Sequence, residues 1–590
     1  MQSQNNSIIR SLHLLWDSTA KQTVINTIVL LLRSLLPALI VVLIKYYVDN
    51  ILGPGGKTFL TTGMIVVISI IVIAILIDEL LSSLGNYISK KQSYLLELHI
   101  SNLIHKQTTG LGLRFFENHV YHDMLDRATR DISWRPAGMI SDLAFAIRGI
   151  ISFLAMAVII SKFSIAVIIV IPVAFIPVYL IKKTSTARIY ESRKSSTPLL
   201  RQASYFSWLL TGERPAREVK LFDLDIFFEG LFNRHFTEAK EKEIKVVRQN
   251  TLTDIISALI KMLVFAGVIL YTTRSLIRSS ITAGEMAMYL IAFRQAMIYM
   301  RDIVSGFTGL NESRLFVQDL FNFLDTESDI DNKKTTPLPS FERIDVRDIT
   351  FTYPGSKYPA INHISFKLNK GEKLAIVGPN GSGKTTLVKL LCRLYDPEQG
   401  TIESGGTDIK AFDLHDYRRQ YSVVFQDFML YYLSALENIA IGDKSNDINE
   451  ERINAAAEKA GIGEFLSRLP DGYNTMLGHQ TEGGRELSWG EWQKIAIARA
   501  LYREAPVVIF DEPSSSLDAD SEYEIFSRLG KIIEDRTCIL ISHRLSNVSF
   551  ADRIIVLSDG MIAETGTHDQ LMAAKGRYYS MFVRQKSMYR

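Results

Sequence analysis

Residues 374–386 read LAIVGPNGSGKTT, and this stretch decides the fold of the second half of the chain. The apolar run 374–377 is too short and too rich in β-branched residues for a helix, so it indicates a buried strand. Residues 378–385 match the pattern G-x-x-x-x-G-K-[ST], and a helical pattern follows over 387–394. A strand, a glycine loop and a helix in this order are the context in which the pattern binds phosphate.

The residue types of this loop suit a bound nucleoside triphosphate. Glycines let the backbone curl so that successive N–H groups face the phosphates, with a helix N-terminus behind them. Lys384 supplies positive charge to the β- and γ-phosphates, and the hydroxyl of Thr385 can contact Mg²⁺. The loop residues expected to contact the nucleotide are Gly378, Pro379, Asn380, Gly381, Ser382, Gly383, Lys384, Thr385 and Thr386.

Length and composition indicate at least two domains of different character. The chain has 590 residues, which is too long for one ordinary domain. Its net charge is +3 and 47% of its residues are hydrophobic, but nearly all the long apolar runs precede residue 305. The two cysteines, Cys392 and Cys538, exclude a disulfide framework and a cysteine-based metal site, which suits a reducing cytoplasm.

The first part of the chain has the pattern of a membrane domain. Six apolar segments are long enough to cross a bilayer, which requires about 20 residues each. They cover residues 22–46, 61–87, 138–161, 163–183, 254–277 and 283–305. A buried globular core would explain one such segment but not six in succession. The N-terminus lacks the features of a cleaved signal peptide, so we expect the first segment to be retained.

We therefore predict a multidomain protein. An all-α six-helix transmembrane domain with long cytoplasmic helix extensions covers residues 1–325, and a polar, proline-bearing linker covers 326–341. An α/β P-loop ATPase domain with a helical subdomain follows over 342–590.

Basic residues orient the predicted spans. The long loops 90–135 and 182–250 are rich in lysine and arginine, whereas the alternate loops are short and carry few charges. We therefore place both long loops, the N-terminus and the ATPase domain on the cytoplasmic side of a bacterial-type inner (plasma) membrane. Regular apolar spacing predicts that the long loops continue the membrane helices and turn near residues 117–125 and 210–218.

Four basic residues lie well inside predicted spans, on four different helices. They are Arg33, Arg148, Lys261 and Arg294. A charge at this depth is costly unless it is paired or hydrated. One interpretation is a basic, water-accessible substrate cavity that attracts an anion. The other is ion pairing with Asp78, Glu79 and Asp142, which lie nearer the cytoplasmic edge, and the sequence leaves both open.

Polar residues at the ends of later strand-like runs can complete a nucleotide site. Gln426 follows one run and can reach Mg²⁺ and the attacking water, and Asp511 and Glu512 end another. Asp511 can hold Mg²⁺ through water, while Glu512 can polarise a water for in-line attack on the γ-phosphate. His543 ends a third run and can bridge the γ-phosphate and Glu512, and the upstream Tyr353 can stack on a purine base.

These residues together resemble the nucleotide-binding domain of an ABC transporter. The resemblance is carried by Tyr353, the phosphate loop, Gln426, LSWGE at 487–491, Asp511, Glu512, SSSLD at 514–518 and His543. Six spans with two long cytoplasmic loops, fused ahead of this domain, resemble an exporter-type half-transporter of the multidrug, lipid-flippase and peptide-exporter kind.

The resemblance implies ATP and Mg²⁺ as cofactors. Its catalytic residues would be Glu512, His543, Gln426 and Lys384, its metal ligands Thr385, Gln426 and Asp511, and its further ATP contacts Tyr353, Ser488, Trp489, Gly490, Glu491 and Asp518. It implies two half-transporters with two ATP molecules sandwiched between them, and the loop tips 117–125 and 210–218 as coupling helices. The expected partners are a second half-transporter, membrane lipid and a small amphipathic or peptide substrate, and not nucleic acid.

The signature stretch departs from the family pattern LSGGQ at Trp489. Ser488 and the N–H of Gly490 remain to cap the γ-phosphate of the opposite ATP, but the tryptophan ring stands where glycine allows close approach. A ring that points away from the phosphate and a weakened site in a heterodimer are both open interpretations. A homodimer is favoured because every other catalytic position is intact.

The expected activity is ATP-driven export or flipping of an amphipathic and, from the basic positions, anionic substrate such as a peptide, lipid or drug-like molecule. The alternative is an ATP-gated channel or a regulatory protein without pumping. Glu512 and His543 favour turnover, because a regulator can dispense with hydrolysis. The sequence does not name the cargo.

Overall fold

The computed structural model describes residues 2–52, 62–130, 135–278, 280–328, 330, 336–444, 447–479, 482–512 and 536–588. The chain divides into two compact units. The helical unit comprises Met1–Gly110 and His119–Glu327, and the ATPase unit comprises Leu111–Asn118 and Ser328–Arg590.

The helical unit is built from long helices. They are α1 (Gln2–Leu52), α2 (Thr62–Gly110), α4 (His119–Arg130), α5 (Arg135–Ser161), α6 (Ile165–Thr211), α7 (Glu213–Leu221), α8 (Asp225–Ile277) and α9 (Ala283–Leu324). Helix α1 is kinked at Thr19, where φ is −145° and the helical geometry is interrupted. The predicted spans lie within these helices, except that 163–183 begins two residues before α6 and residue 61 lies outside the described residues.

The predicted count of six spans is not confirmed. Among the described residues, five helices are long and apolar enough to cross a membrane, namely α1, α2, α5, α6 and α8. The segment 283–305 is helical as part of α9. Its apolar run is interrupted by polar and charged residues such as Glu285 and Arg294, which explains why α9 falls short of that standard.

The long loops continue the membrane helices as predicted, because α2 extends to Gly110, α6 to Thr211 and α8 begins at Asp225. The predicted position of the first tip, at 117–125, is wrong because the turn lies earlier in the sequence. The turn lies at Leu111–Asn118 around the short helix α3 (Leu113–Phe116), and residues 119–125 belong to α4. Helical composition on both sides of the turn hid its position. Helix α7 occupies most of the second predicted tip.

Glycines bring α5 and α9 close together in the helical unit. A Cβ atom on Gly306 would lie 2.6 Å from the carbonyl oxygen of Asp142 and 2.7 Å from the amide nitrogen of Ala146. A Cβ atom on Gly149 would lie 2.8 Å from Cγ1 of Ile303. Small residues let helix backbones approach closely, which is how helices associate in lipid. The buried cluster around Met156, Ala292 and Phe293 surrounds this contact.

The ATPase unit contains two sheets. The strands are β1 (Arg343–Phe351), β2 (Ile361–Asn369), β3 (Lys373–Val377), β4 (Gln399–Ser404), β5 (Thr407–Asp408), β6 (Tyr421–Val424), β7 (Val507–Asp511), β8 (Thr537–Ile541), β9 (Arg553–Ser558) and β10 (Met561–Gly566). One sheet has the order β2-β1-β4-β5 and is antiparallel, and the other has the order β10-β9-β3-β8-β7-β6.

Helices cover the second sheet. They are α10 (Lys384–Leu391), α11 (Leu414–Arg419), α12 (Ala435–Ala440), α13 (Glu450–Lys459), α14 (Gly463–Ser467), α15 (Trp489–Tyr502), α16 (His568–Ala574) and α17 (Arg577–Met588). Helices α12 to α15 share one apolar core with the inner strands, which is the predicted helical subdomain.

The parallel part of the second sheet positions the site. Strands β9, β3, β8, β7 and β6 run parallel to their neighbours, and the β3–β8 register pairs Lys373 with Cys538. The carboxyl ends of parallel strands lie at the same edge of a sheet, where ligands bind in α/β folds. The loops after β3, β6, β7 and β8 therefore meet there.

Candidate functional site

A cavity of about 530 Å³ opens at the carboxyl edge of the second sheet. Its lining consists of Tyr353, Ala360, Asn380, Gly381, Ser382, Gly383, Lys384, Thr385, Thr386, Gln426, Glu512 and His543. All of these except Ala360 were predicted from the sequence. The cavity therefore brings together the phosphate loop and the residues that follow three other strands.

The phosphate loop has a backbone that only glycine tolerates at its ends. A Cβ atom on Gly378 would lie 2.3 Å from the carbonyl oxygen of Leu557. Gly383 has φ +99°, and a Cβ atom there would lie 2.6 Å from the carbonyl oxygen of Ala360. Gly383 is the N-cap of α10 and supplies no side-chain cap. The first N–H groups of α10 consequently remain available for an anion.

The Lys384 side chain is folded over the loop. Its Nζ atom donates to the carbonyl oxygens of Gly378 and Pro379, each at 3.1 Å. Burial lowers the pKa of the Lys384 ammonium, and the nearby carboxylates of Glu512 and Asp511 oppose that shift. The Ser382 hydroxyl is buried and has no hydrogen-bond partner within the described ranges. These two groups suit the phosphates of a nucleotide.

Glu512 is the point where three loops meet. The Gln426 amide donates to its Oε2 atom at 2.9 Å, and Nδ1 of His543 lies 3.2 Å from the same oxygen. The Glu512 backbone adopts φ +52°, and its N–H donates to the carbonyl oxygen of Ile541 at 3.0 Å. Gln426 lies two residues beyond the end of β6. Of the four predicted catalytic side chains, Gln426 and His543 thus both contact Glu512 directly.

Asp511 has the environment of a metal ligand. Both carboxylate oxygens are buried, and neither has a hydrogen-bond partner in the part of the chain that the structure describes. Burial raises the pKa of Asp511 to about 6, and the shift is opposed by the Lys384 ammonium and by the Thr385 hydroxyl, which lies near the carboxylate without a hydrogen bond of regular geometry. Buried carboxylate oxygens without partners, next to a hydroxyl, form an oxygen donor set that suits Mg²⁺. The predicted ligands Thr385, Gln426 and Asp511 therefore fit this ion.

Tyr353 lies on the wall of the cavity. Its hydroxyl lies 3.1 Å from Oγ1 of Thr386, and its ring meets Tyr395 edge to face. Lys389 on α10 places its Nζ atom 5.3 Å from the centre of the Tyr353 ring and 3.5 Å from Oε1 of Glu117. The sequence did not identify Lys389, because this contact depends on the position of the 111–118 turn.

The signature residues do not line this cavity. Ser488 is the N-cap of α15, and it forms a reciprocal capping box with Glu491, in which the Ser488 N–H donates to Oε2 of Glu491 at 2.7 Å. Trp489 is the first residue of α15 and is 44% exposed. Its ring centre lies 4.9 Å from that of Phe428. Gly490 follows in the first turn, and Asp518 lies outside the described residues.

The four cations of the predicted membrane cavity line two separate cavities. Arg33 and Arg148 line one of about 590 Å³ between α1, α2 and α5. Lys261 and Arg294 line another of about 370 Å³ formed by α6, α8 and α9. The described part of one chain therefore does not bring the four cations into one cavity, and their grouping depends on helix orientations that the sequence does not supply.

Their contacts support parts of both interpretations. Nε of Arg33 lies 3.3 Å from Oδ1 of Asp78, which is one of the predicted ion pairs. Nζ of Lys261 lies 5.3 Å from the centre of the Phe175 ring. Both cavities nonetheless present positive charge.

Comparison with known families covers both units. The family described as "ABC transporter transmembrane region" matches residues 23–298, and the family described as "ABC transporter" matches residues 361–515. The subtilin transport ATP-binding protein SpaT of Bacillus subtilis is 30% identical over 511 residues, which are 85% of this chain and 82% of that protein.

Two further comparisons concern a lipid flippase and a solved structure. The ATP-dependent lipid A-core flippase of Thiobacillus denitrificans is 34% identical over 375 residues, which are 63% of this chain and 63% of that protein. The structure of a bacterial Atm1-family ABC exporter with ATP bound superposes with a TM-score of 0.82 at 25% identity. That alignment covers 96% of this chain and 98% of the exporter.

Proposed function

This chain belongs to the ABC transporter family, as an integral membrane exporter that couples ATP hydrolysis to transport, and from this premise we propose that it moves an amphipathic anion across the bacterial plasma membrane as a dimer of half-transporters. We assign the translocation domain to residues 1–325, the linker to 326–341 and the ATPase domain to 342–590. The N-terminus and the ATPase domain face the cytoplasm, which follows from the basic residues of the two long loops.

The observation that carries the catalytic proposal is the shared carboxylate of Glu512. Its Oε2 atom faces both the Gln426 amide and the His543 imidazole at the rim of the nucleotide cavity. In this proposal Glu512 takes a proton from the attacking water, Gln426 orients that water and His543 contacts the γ-phosphate. Lys384 and the loop N–H groups neutralise the charge that develops on the phosphoryl oxygens.

We propose Mg²⁺ as the ion that accompanies ATP. Thr385, Gln426 and Asp511 would hold it, because the unpartnered oxygens of Asp511 need a positive partner in a buried position. The ion supplies charge that offsets the negative charge of the phosphates.

The dimer proposal rests on the position of the signature. Ser488, Trp489, Gly490 and Glu491 stand at the start of α15 and do not line the cavity of their own chain. In the proposed dimer they contact an ATP molecule held by a partner's phosphate loop, and Asp518 is proposed as a further ATP contact. We favour a homodimer, and a heterodimer is the second possibility because of Trp489.

An apolar tip on the helical unit suits docking to the partner's ATPase domain. Leu221 and Phe222 at the end of α7 are 74% and 62% exposed. Ile226 and Phe227 at the start of α8 are exposed as well. Large apolar side chains at the far end of helices that lead out of the membrane indicate a protein contact rather than a lipid contact.

The two basic cavities define the substrate class. The cavity with Arg33 and Arg148 and the cavity with Lys261 and Arg294 both also contain apolar side chains, such as Phe145 in the first. A molecule with an anionic group and an apolar body suits such a lining. Its relatives act on subtilin, a peptide, and on the lipid A-core. We therefore propose an anionic peptide or lipid as the cargo.

Transport into inverted membrane vesicles tests the function. Vesicles with the wild-type chain should accumulate a labelled anionic lipid or peptide with ATP, and vesicles with Glu512→Gln should not. Native mass spectrometry of the nucleotide-free protein from membranes would supply the candidate cargo. ATP hydrolysis without movement of any copurified cargo would contradict the exporter and favour a channel or regulator.

A further inference from the structure

We infer that Trp489 and Phe428 form a positioning pair, which fastens the signature helix α15 to the loop that carries Gln426. Occupation of a subunit's own ATP site would then move the signature that the same subunit presents to the partner's ATP. This inference rests on the proposed dimer with two ATP sites. It assigns a role to Trp489, where the signature departs from the family pattern.

The contact between the two rings is a packed one. Their centres lie 4.9 Å apart and their planes meet at 38°. Phe428 is only 9% exposed and belongs to the apolar core that also contains Trp492, one turn further along α15. Aromatic pairs at such separations contribute beyond the burial of their area, by an amount equal to about a two- to tenfold change in an equilibrium. The tryptophan ring is therefore directed to the neighbouring loop.

Phe428 is linked to the catalytic group by a very short stretch of chain. It follows Gln426 by two residues, and the Gln426 amide donates to Oε2 of Glu512 at 2.9 Å. Two residues of extended chain span about 7 Å at most. A shift of Gln426 toward a γ-phosphate and its ion must therefore displace Phe428 as well.

A second attachment joins the same loop to the same helix. Nη1 of Arg499 donates to the carbonyl oxygen of Met429 at 3.4 Å, and its guanidinium lies 4.7 Å from the centre of the Tyr431 ring. Residues 489 and 499 are about 15 Å apart along α15 at 1.5 Å per residue. Because two positions far apart on α15 both attach to neighbouring residues of the loop, the loop is held against the helix. The loop and α15 therefore move together.

The N-terminal end of α15, which begins at Trp489, is the end that contacts the partner's ATP in the proposed dimer. Ser488 caps it, and the N–H of Gly490 lies in its first turn. A glycine at position 489 would allow closer approach of a phosphate but would provide no ring to bind Phe428. Tryptophan at this position therefore hinders the close approach of a phosphate but attaches α15 to the loop through Phe428. ATP binding at one site should then favour binding at the other, which is positive cooperativity.

The test measures ATP hydrolysis against ATP concentration for the full-length protein in lipid nanodiscs. Wild type should show a Hill coefficient above one, with two as the limit for two sites. Phe428→Leu keeps the buried apolar character but removes the ring. We expect its Hill coefficient to fall to about one and its half-saturating ATP concentration to rise about two- to tenfold.

The matched control is Met429→Leu. Met429 is the next residue of the same loop and is 61% exposed, and the substitution leaves its carbonyl oxygen in place for Arg499. Its cooperativity should equal that of wild type. The double variant with Trp489→Phe and Phe428→Trp keeps two rings at the contact and should regain cooperativity, which loss of general stability would not explain. If Phe428→Leu fails to fold, Trp489→Gly at the exposed end of α15 removes the same contact.

The outcomes distinguish failure of the proposed Trp489–Phe428 pair from failure of the proposed dimer. Cooperative hydrolysis by wild type that persists unchanged without the ring contact would overturn the pair and leave the dimer intact. Equal loss of cooperativity in Met429→Leu would show a general sensitivity of the loop and would also overturn the pair. A Hill coefficient of one for wild type would overturn the coupled two-site dimer, and the pair with it.

Discussion

Glu512→Gln tests the catalytic assignment most directly. Glutamine keeps the size and shape of the side chain, and its carbonyl oxygen can still accept the hydrogen bond that Gln426 donates at 2.9 Å. The variant loses the negative charge and the capacity to take a proton from water. Lys384 and the phosphate-loop N–H groups are unchanged, so we expect ATP still to bind.

The magnitude follows from the role. A positioned general base contributes about 10²- to 10⁴-fold to a rate, which corresponds to about 3–5 kcal/mol of activation free energy. The contact with His543 at 3.2 Å does not replace this contribution, because the Nδ1 atom of the imidazole that makes it is directed at residue 512 itself. We therefore expect kcat to fall about 10²- to 10⁴-fold, with ATP affinity altered only slightly.

The assay combines phosphate release at saturating ATP with a direct ATP-binding titration on the same protein. Glu398→Gln is the matched control, because it makes the same change to an exposed carboxylate that does not line the cavity. Its rate should stay close to that of wild type. Hydrolysis by Glu512→Gln within tenfold of wild type would refute the assignment, and loss of ATP binding would show that Glu512 serves the nucleotide instead.

Three further predictions concern the loop, the helix contact and the basic cavities. Gly383→Ala should weaken ATP binding about 5- to 150-fold, because φ +99° and a backbone carbonyl 2.6 Å from the new Cβ impose about 1–3 kcal/mol of strain; unaltered binding would contradict the loop geometry. Gly306→Ala should lower the free energy of unfolding by about 1–3 kcal/mol in a denaturant titration. Its control is Gly230→Ala, where a Cβ meets nothing within 4 Å, and equal effects would contradict the close α5–α9 contact. Arg148→Ala or Lys261→Ala should raise the half-stimulating concentration of an anionic substrate about tenfold, depending on which cavity it occupies, and no change in either would favour a purely structural role for these cations.

The sequence predicted most of the ATP site, and the reason is the parallel sheet. Strands with polar residues at their carboxyl ends must place those residues at one edge. Gln426, Glu512 and His543 come from three separate stretches, yet this rule brings them together. The phosphate loop was predictable for a simpler reason, because its geometry depends on a local run of glycines.

Contacts between distant elements were not predictable in the same way. The packing of Trp489 on Phe428 joins residues 61 positions apart, and it depends on a side-chain direction that no local pattern contains. The separation of Arg33 from Lys261 depends on how each helix is rotated about its axis. Depth along a helix can be counted from the sequence, but rotation is set by packing partners such as Gly306.

The first turn of the long loops shows a third limit. Residues on both sides of Leu111–Asn118 favour helix, so periodicity gives no sign of where the chain reverses. The structure places the reversal at α3, which belongs to the ATPase unit. Local propensity was overridden by a contact with residues more than two hundred positions away.

This packing affects how the ATPase unit can be produced as a soluble fragment. Leu113 packs against the apolar core beneath β1 and α10, and Glu117 is the ion-pair partner of Lys389. A recombinant fragment that begins at residue 328 therefore lacks Leu113 and exposes to water the apolar surface that Leu113 covers. Aggregation of this fragment would say little about the intact protein. Fusing residues 111–118 to it through a flexible linker would restore the missing contacts.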